Sequence, residues 1–299
     1  MNLLSKFSEG GWNVAYRYVP TGTILEERNT PFSLIPNTWR SWTADPFAYE
    51  HEGTIYIFAE IFDYLKRKAS IGYTACTNGK WKKWKTVIDE PFHMSYPNVF
   101  SCNGQIYMVP ETSADRTLRL YKAVDFPEVW QLEKILATDV LWVDTTFFEQ
   151  DGCTCAITRD MGDLNDQKDI LLRFDAQWNL VCREIISEKE PGLSRSGGNF
   201  FAVNQEQVRV TQDCRGHYGN ALVFSCFNPD TLIDTGMGEI FLRLEPKDIP
   251  VSNDRKWTGV HTYSSADSIE VVDIERSHYN LMGLVGRLVW KIRMCMARG

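Results

Sequence analysis

The fold of this chain is decided by a short motif whose first copy begins with Ala44-Asp45-Pro46-Phe47, turns at Gly53 and closes at Glu60. Each copy reads as a polar residue, a Phe-rich strand, a turn, a second apolar strand and a closing polar residue. In the first four copies the turn lies eight positions after the opening residue, and the closing residue follows seven positions later. The opening residues are Asp45, Tyr96, Asp144, Gly197 and, in a looser fifth copy, His261, and the first four closing residues are Glu60, Glu111, Arg159 and Gln212.

Successive copies begin about 50 residues apart, and a period of this length built from short strands is typical of a β-propeller with one blade per repeat. The sequence therefore predicts an all-β fold, a five-bladed β-propeller over residues 1–278, followed by a short C-terminal amphipathic helix over residues 279–299. Because the first strand of every blade lines a central channel, we expect the repeated polar residues to converge on one site.

Closure of the ring depends on the N-terminal region. The fifth repeat runs out of strand-forming sequence near Glu275, whereas residues 12–18 form a strand pattern that belongs to no repeat. We expect this segment to complete the last blade, because closing the ring removes an exposed sheet edge.

Composition and charge restrict the classes of function. With 299 residues and 43% hydrophobic content, the chain is able to bury a large core. A formal net charge of −7 argues against a nucleic-acid-binding protein. No stretch resembles a signal peptide or is long and apolar enough to span a bilayer, so a cytoplasmic location is expected. The eight cysteines form no CxxC pair and the histidines do not cluster with them, so we expect free thiols, no zinc site and no cofactor, with an ion in the central channel left open.

The C-terminal segment, residues 279–298, has apolar residues at helical spacing and cations on another side. The apolar residues are Leu281, Leu284, Val285, Leu288, Val289 and Ile292, and the cations are Arg287, Lys291 and Arg298. Two interpretations remain open. The helix either docks on the propeller wall or lies on an anionic membrane surface, which would make the protein peripheral to the inner face of a membrane.

The repeated polar residues suit sugar binding, because carboxylates accept hydrogen bonds from hydroxyls and aromatic rings cover sugar faces. The candidate catalytic residues are Asp45, Glu111 and Asp144, and the candidate substrate-binding residues are Glu60, Tyr96, Arg159, Arg195, Gln212, Asp213, Arg215, Tyr218 and His261. Each also has a purely structural interpretation, such as a turn cap for Asp45 or an ion pair for Arg159. The recurrence of one register in independent blades favours a shared site.

The opening motifs resemble those of a known enzyme class. Ala44-Asp45-Pro46-Phe47 resembles the first-blade motif of the five-bladed glycoside hydrolases of families 43 and 62, and the resemblance implies that Asp45 is a general base. Residues 143–147 are similar to their third-blade motif, which implies that Asp144 tunes the acid and orients the substrate. Residues 259–261 resemble the last-blade motif, which implies that His261 lies beside a central ion or water.

The fourth blade departs from that pattern. The hydrolases carry a general-acid glutamate there, whereas residues 193–198 read Leu-Ser-Arg-Ser-Gly-Gly and contain no carboxylate. Hydrolysis of a glycoside needs an acid for the poor leaving group, but a phosphate departs as a stable anion without one. Arg195 and Arg215 are suitable partners for such a phosphate, unless they pair instead with Asp144 and Asp213.

Three longer segments, residues 90–97, 110–116 and 211–222, are similar to the propeller region of glucosamine inositolphosphorylceramide transferase-like proteins and their bacterial relatives. This resemblance covers most of the chain and implies a place in surface-polysaccharide or glycolipid assembly. In the plant-type proteins the transferase activity is credited to a separate domain. The resemblance therefore implies the fold and the pathway more directly than it implies catalysis.

Three functions fit these observations. The first is a glycosyltransferase with a phosphate-activated sugar donor and a glycan or glycolipid acceptor. In this hypothesis Asp45 deprotonates the acceptor, Asp144 and Glu111 hold sugar hydroxyls, and Arg195, Arg215 and Tyr218 surround the donor phosphate. The second is a furanosidase-like hydrolase whose acid is Glu60 or Glu111. The third is a noncatalytic glycan-binding propeller that serves as a scaffold for a partner enzyme.

Overall fold

The computed structural model describes residues 8–150, 152–163, 167–186, 195–228, 240–253 and 255–296. Across these residues, five antiparallel sheets form one five-bladed β-propeller with a short C-terminal helix, which confirms the predicted fold class. No helix of the described part of the chain is long and apolar enough to cross a membrane.

The elements follow the repeats closely. The N-terminal region contributes β1 (Ser8–Arg17), the helical turn α1 (Thr23–Glu26) and β2 (Ser33–Leu34). Blade 1 consists of β3 (Ser41–His51), β4 (Thr54–Asp63) and β5 (Lys68–Thr77), with β6 (Lys80–Trp81) and β7 (Lys85–Ile88) both paired to β5. Blade 2 consists of β8 (Ser95–Cys102), β9 (Gln105–Thr112), β10 (Thr117–Asp125) and β11 (Val129–Thr138).

The second half of the chain continues the pattern. Blade 3 consists of β12 (Trp142–Gln150), β13 (Cys153–Asp160), β14 (Lys168–Phe174) and β15 (Leu180–Ile186). Blade 4 consists of β16 (Phe201–Val203), β17 (Glu206–Asp213), β18 (Ala221–Cys226) and β19 (Ile240–Leu244). Blade 5 begins with β20 (Tyr263–Ala266) and β21 (Ile269–Tyr279), and helix α2 (Leu281–Met296) follows.

Both ends of the chain meet in blade 5, whose strand order is β20-β21-β1-β2. Strand β1 pairs antiparallel with β21 from Ser8 opposite Tyr279 to Arg17 opposite Glu270. The sequence places the closing strand at residues 12–18, and in the structure it begins earlier and ends at Arg17. A fully buried ion pair fixes the junction, with Arg17 Nη2 2.7 Å from Glu270 Oε2. Removal of either partner would leave a buried charge and cost about 3–5 kcal/mol.

The apolar core lies between neighbouring blades and uses the phenylalanines of the repeats. The rings of Phe100 in blade 2 and Phe147 in blade 3 stack with centroids 4.7 Å apart. Between blades 4 and 5, Phe224 and Tyr263 are fully buried, with ring centroids 5.1 Å apart. Each such aromatic side chain contributes about 1.5–3 kcal/mol on burial. The interfaces between blades therefore hold the propeller together.

A repeated backbone distortion positions the opening residues. Asp45, Tyr96 and Asp144 have φ values of +50°, +44° and +50°, the left-handed region that side chains other than glycine rarely adopt. The register between the first and second strands shifts at each of these residues, so each sits on a β-bulge. A bulge turns a side chain out of the regular pleat. The three opening side chains therefore leave the alternating pattern of their strands and reach residues of other blades around the channel.

Candidate active site

A chain of three side chains joins blades 1 and 5 at the channel. His261 Nε2 lies 3.2 Å from Asp45 Oδ1, and His261 Nδ1 lies 2.7 Å from Asp273 Oδ2. The backbone N–H groups of His261 and Thr262 donate to Asp273 Oδ1 at 3.0 and 2.9 Å, which fixes that carboxylate. Asp273 thus orients the imidazole, and the imidazole contacts the candidate base.

Asp45 is held from several directions and remains buried. The Thr262 hydroxyl donates to Oδ1 at 2.9 Å, and the backbone N–H of Tyr96 donates to Oδ2 at 3.1 Å. Burial raises the pKa of Asp45 to about 6, although the neighbouring His261 charge opposes that rise. For His261 burial alone would disfavour the imidazolium, but the Asp273 and Asp45 carboxylates outweigh it and raise the pKa of the ring. Burial therefore makes Asp45 a stronger base than a free aspartate, and the two carboxylates stabilise the charged form of the His261 ring beside it.

Two aromatic rings cover the imidazole. The Trp12 indole lies 3.9 Å from the His261 ring between centroids, with a 31° tilt, and the Tyr218 ring lies 5.0 Å away edge-on. Trp12 comes from β1, so the strand that closes the ring also supplies part of the site. This cover limits water around the Asp45–His261 pair and leaves one side of Tyr218 exposed.

Tyr96 crosses the centre of the propeller and is fully buried. Its hydroxyl lies 2.8 Å from Thr146 Oγ1 in blade 3 and accepts the backbone N–H of Gly198 at 2.8 Å. Its ring packs edge-on against Phe47 at 4.8 Å. From the sequence, this aromatic ring was a candidate to cover the face of a sugar. In the structure the ring is buried beneath the site, where it contacts blades 1, 3 and 4.

A second group of side chains surrounds Asp144. The Gln212 amide donates to Asp144 Oδ2 at 2.9 Å, and the Arg195 guanidinium Nε forms an ion pair with the same oxygen. Arg195 Nη2 lies 3.9 Å from Glu111 Oε2, and the guanidinium carbon lies 5.4 Å from the centre of the Tyr218 ring. Arg195 is thus the cation that joins the carboxylates of blades 2 and 3 beside the exposed ring.

The closing glutamates of blades 1 and 2 face the same region. Burial, reinforced by the Asp144 carboxylate, raises the pKa of Glu111 to about 8, and the Ser113 hydroxyl donates to its Oε1 at 2.7 Å. Burial and the Asp45 carboxylate raise the pKa of Glu60 well above its ordinary value. Glu60 Oε1 lies 3.4 Å from His93 Nε2. Because like charges repel at short range, both glutamates hold a proton more readily than a free glutamate, and Glu111 is the less deeply buried of the two.

Other predicted site residues occupy ion pairs in blades 3 and 4. Arg159 Nη1 lies 3.3 Å from buried Asp169 Oδ1, in the same network as Gln167. Asp213 is buried, and its two oxygens pair with Arg215 Nε at 2.9 Å and Arg243 Nε at 2.8 Å. The alternative pairing of the two arginines, Arg195 with Asp144 and Arg215 with Asp213, is the arrangement that the structure adopts.

Sequence reasoning did not single out Asp273 or Trp12. Asp273 is the closing residue of the fifth repeat, so the motif itself contained the signal, which the looser fifth register obscured. Trp12 lies in the closing strand, outside any repeat, and only the fold brings it to His261. Residues 193 and 194 of the fourth-blade motif lie outside the described residues.

The triad is also the place where an ion would bind. Donor atoms of Asp45, His261 and Asp273 lie within 4.8 Å of one another, and no other group of three such side chains in the described residues is as close. The same distances, 2.7 and 3.2 Å, also fit an imidazolium between two carboxylates, which needs no ion.

Fold and site together define a five-bladed β-propeller whose central channel gathers buried carboxylates beside one histidine and one arginine. The model of one family, described as glucosamine inositolphosphorylceramide transferase 1, N-terminal, matches residues 30–276. The chain belongs to this family, and the resemblance noted in the sequence is confirmed.

The relatives agree with this assignment, and the solved structures share the fold. Glucosamine inositolphosphorylceramide transferase 1 of Arabidopsis thaliana is 27% identical over 317 residues, which cover 90% of this chain but 39% of the relative. A thermostable family-43 glycoside hydrolase shares the fold with a TM-score of 0.54 at 12% identity, covering 81% of this chain and 91% of that one. The β-1,2-mannobiose phosphorylase of Listeria innocua gives 0.55 at 9% identity, with 80% and 92% covered. The chain thus spans well under half of the plant relative.

Proposed function

We propose that this propeller is a carbohydrate-active enzyme that transfers an activated sugar to a hydroxyl of a glycan or glycolipid acceptor, in the assembly of a cell-surface polysaccharide or glycolipid. The observation that carries the proposal is the Asp273–His261–Asp45 chain, which ends in a carboxylate held at the channel with a pKa near 6. The family supports the pathway in the proposal, because plant relatives are named glucosamine inositolphosphorylceramide transferase 1.

The step assigned to Asp45 is removal of the acceptor proton. As the acceptor oxygen forms its bond to the anomeric carbon, its proton passes to Asp45 Oδ2, and the bond between that carbon and the phosphate oxygen breaks. The phosphate leaves with the bonding electron pair. Oδ2 accepts one hydrogen bond from Tyr96 N–H in the structure, and a carboxylate oxygen has capacity for a second.

Arg195 is suited to the departing phosphate. A guanidinium carries five N–H donors, and the contact through Nε to Asp144 leaves donors at the Nη atoms for an anion. The pairing with Asp144 also fixes the plane of the guanidinium beside Tyr218. Arg215 is less suited, because it pairs through Nε and Nη2 with buried Asp213, which Arg243 also contacts.

The test is incubation of the protein with sugar nucleotides and a lipid-linked hydroxyl acceptor, with product detected by mass spectrometry. Transfer that is lost in Asp45→Asn and retained in the matched surface variant Asp139→Asn supports the proposal. Calorimetric titration of sugar nucleotides into Arg195→Lys and Arg215→Ala shows which arginine binds the donor phosphate. We expect weaker binding only in Arg195→Lys. Binding of neutral oligosaccharides without turnover would instead support the scaffold function.

One observation favours glycoside hydrolysis as a second candidate. Glu111 has a pKa near 8 and is partly exposed, so at neutral pH it carries a proton that a leaving alkoxide could accept. Such a residue would replace the missing fourth-blade glutamate. Release of free sugar from a neutral glycan, abolished in Glu111→Gln, would establish this function over transfer.

A further inference from the structure

Helix α2 docks through its smallest residues. The Asn280 side chain caps its N-terminus by accepting the backbone N–H of Gly283 at 3.1 Å. Gly283 and Gly286 are buried, and a Cβ built on Gly286 would lie 1.8 Å from the carbonyl oxygen of Tyr64. The glycine face therefore packs directly against the turn between β4 and β5, and the helix has a fixed orientation on the propeller.

This orientation turns several large apolar side chains outward, whereas Leu284, Val285 and Val289 are half-buried. Leu281, Leu288 and Ile292 are 69%, 54% and 60% exposed, and their spacing of seven and four positions places them on one stripe. Trp290 is 49% exposed. A helix that only docks on a propeller wall buries its apolar stripe, whereas this one presents it to the surroundings.

The charge of the helix is opposite to that of the chain. Residues 281–296 contain Arg287, Lys291 and Arg293 and no acidic residue, within a protein of net charge −7. Two copies of the helix brought face to face would place these cations near one another. An anionic surface, in contrast, complements the cations while it receives the apolar stripe.

The helix lies on the face of the propeller where the site opens. Strand β21 carries Asp273 and leads through Asn280 into α2, and the Tyr64 turn follows Glu60 on β4. The backbone N–H of Tyr64 donates to the Arg40 carbonyl at 3.0 Å, and Trp39, the residue before Arg40, is 70% exposed. Tryptophan suits the boundary between lipid headgroups and chains, because its ring is apolar and its N–H polar.

We propose that α2 and Trp39 seat this protein on an anionic lipid surface, with the channel face turned toward the headgroups. The exposed stripe enters the boundary of the bilayer, and Arg287 and Lys291 lie at the level of the lipid phosphates. The helix is not long and apolar enough to cross the bilayer, so it lies along the surface. The inference rests on the helix and Trp39 and holds for any chemistry in the channel.

The test is co-sedimentation of the full chain with phosphatidylcholine vesicles, with and without phosphatidylglycerol. We expect binding to the anionic vesicles that weakens as salt is added. Replacing the exposed residues in the double variant Leu288→Glu, Ile292→Glu should reduce vesicle binding by at least about tenfold. Lys291→Gln should reduce binding to anionic vesicles by roughly fivefold.

The control is Val181→Glu, a similarly exposed apolar residue on the outer strand β15 of blade 3, which should leave vesicle binding unchanged. Circular dichroism should show that each variant remains folded. Equal binding to neutral and anionic vesicles would overturn the assignment of an anionic surface. No vesicle binding, together with self-association that the double variant abolishes, would show that the stripe is an interface between copies.

Discussion

His261 Nε2 lies 3.2 Å from Oδ1 of Asp45, a contact that joins the last blade of the propeller to the first. The contact exists only because β1 closes the ring, since the closing strand holds β21 and Asp273 in place behind the imidazole. Ring closure and the chemistry of the site therefore depend on the same strand. A variant that loosens blade 5 should impair activity before it unfolds the protein.

Replacement of Asp45 by asparagine should lower the rate of sugar transfer by roughly 100-fold to 10,000-fold, because the amide cannot accept the proton. The fold should persist, since asparagine preserves the shape of the side chain and tolerates the left-handed backbone at φ +50°. Turnover measured alongside the thermal unfolding midpoint separates the two effects. Full activity in Asp45→Asn would remove this residue as the base.

Activity should rise with pH through about 6, where Asp45 loses its proton. The His261 charge lowers the pKa of Asp45. In His261→Gln the rise in activity should therefore occur about one pH unit higher. The measurement is kcat/KM against pH for both proteins, with His51→Gln at the far end of β3 as the control. If activity in His261→Gln rises at the same pH as in the wild-type protein, a group other than Asp45 controls the rise.

The pH dependence of stability should reveal Glu111. Its folded pKa of about 8 exceeds the ordinary glutamate value, so it contributes stability below its unfolded pKa that is lost as pH rises through 8. Between pH 5 and pH 8 the free energy of unfolding should fall by roughly 1–3 kcal/mol more in the wild-type protein than in Glu111→Gln, which lacks this titrating group. Urea unfolding at both pH values measures it. The exposed Glu206→Gln should leave the difference unchanged, and a wild-type protein equally stable at both values would contradict the shift.

Gly198→Ala should disrupt the centre of the propeller. A Cβ there would lie 1.6 Å from the Tyr263 carbonyl oxygen, and the backbone has a φ of +138°. We expect a loss of at least about 3 kcal/mol, seen as a lower urea midpoint. Gly152→Ala is the matched control, because φ there is +73° with nothing within 4 Å, and it should cost about 1 kcal/mol. Equal effects of the two variants would show that the close approach to Tyr263 is not essential.

The sequence by itself determined the blades and the residues that open and close them. A period of about 50 residues with fixed internal spacing is a local property, because each blade is a meander whose strands pair with their neighbours in sequence. The opening residues Asp45 and Asp144 and the closing residue Glu111 could therefore be identified as one group before any coordinates. Asp273 was hidden only by the looser fifth repeat.

Only the tertiary structure decided which side chains pair and which remain available. Asp45 meets His261 across more than 200 residues of sequence, and Arg195 pairs with Asp144 rather than lying unpaired. The left-handed bulge at Tyr96 buries a ring that the sequence placed against a sugar. These pairings depend on distances between blades, and the pKa of each group depends on its burial. They are set by closure of the whole ring and are not encoded in any single repeat.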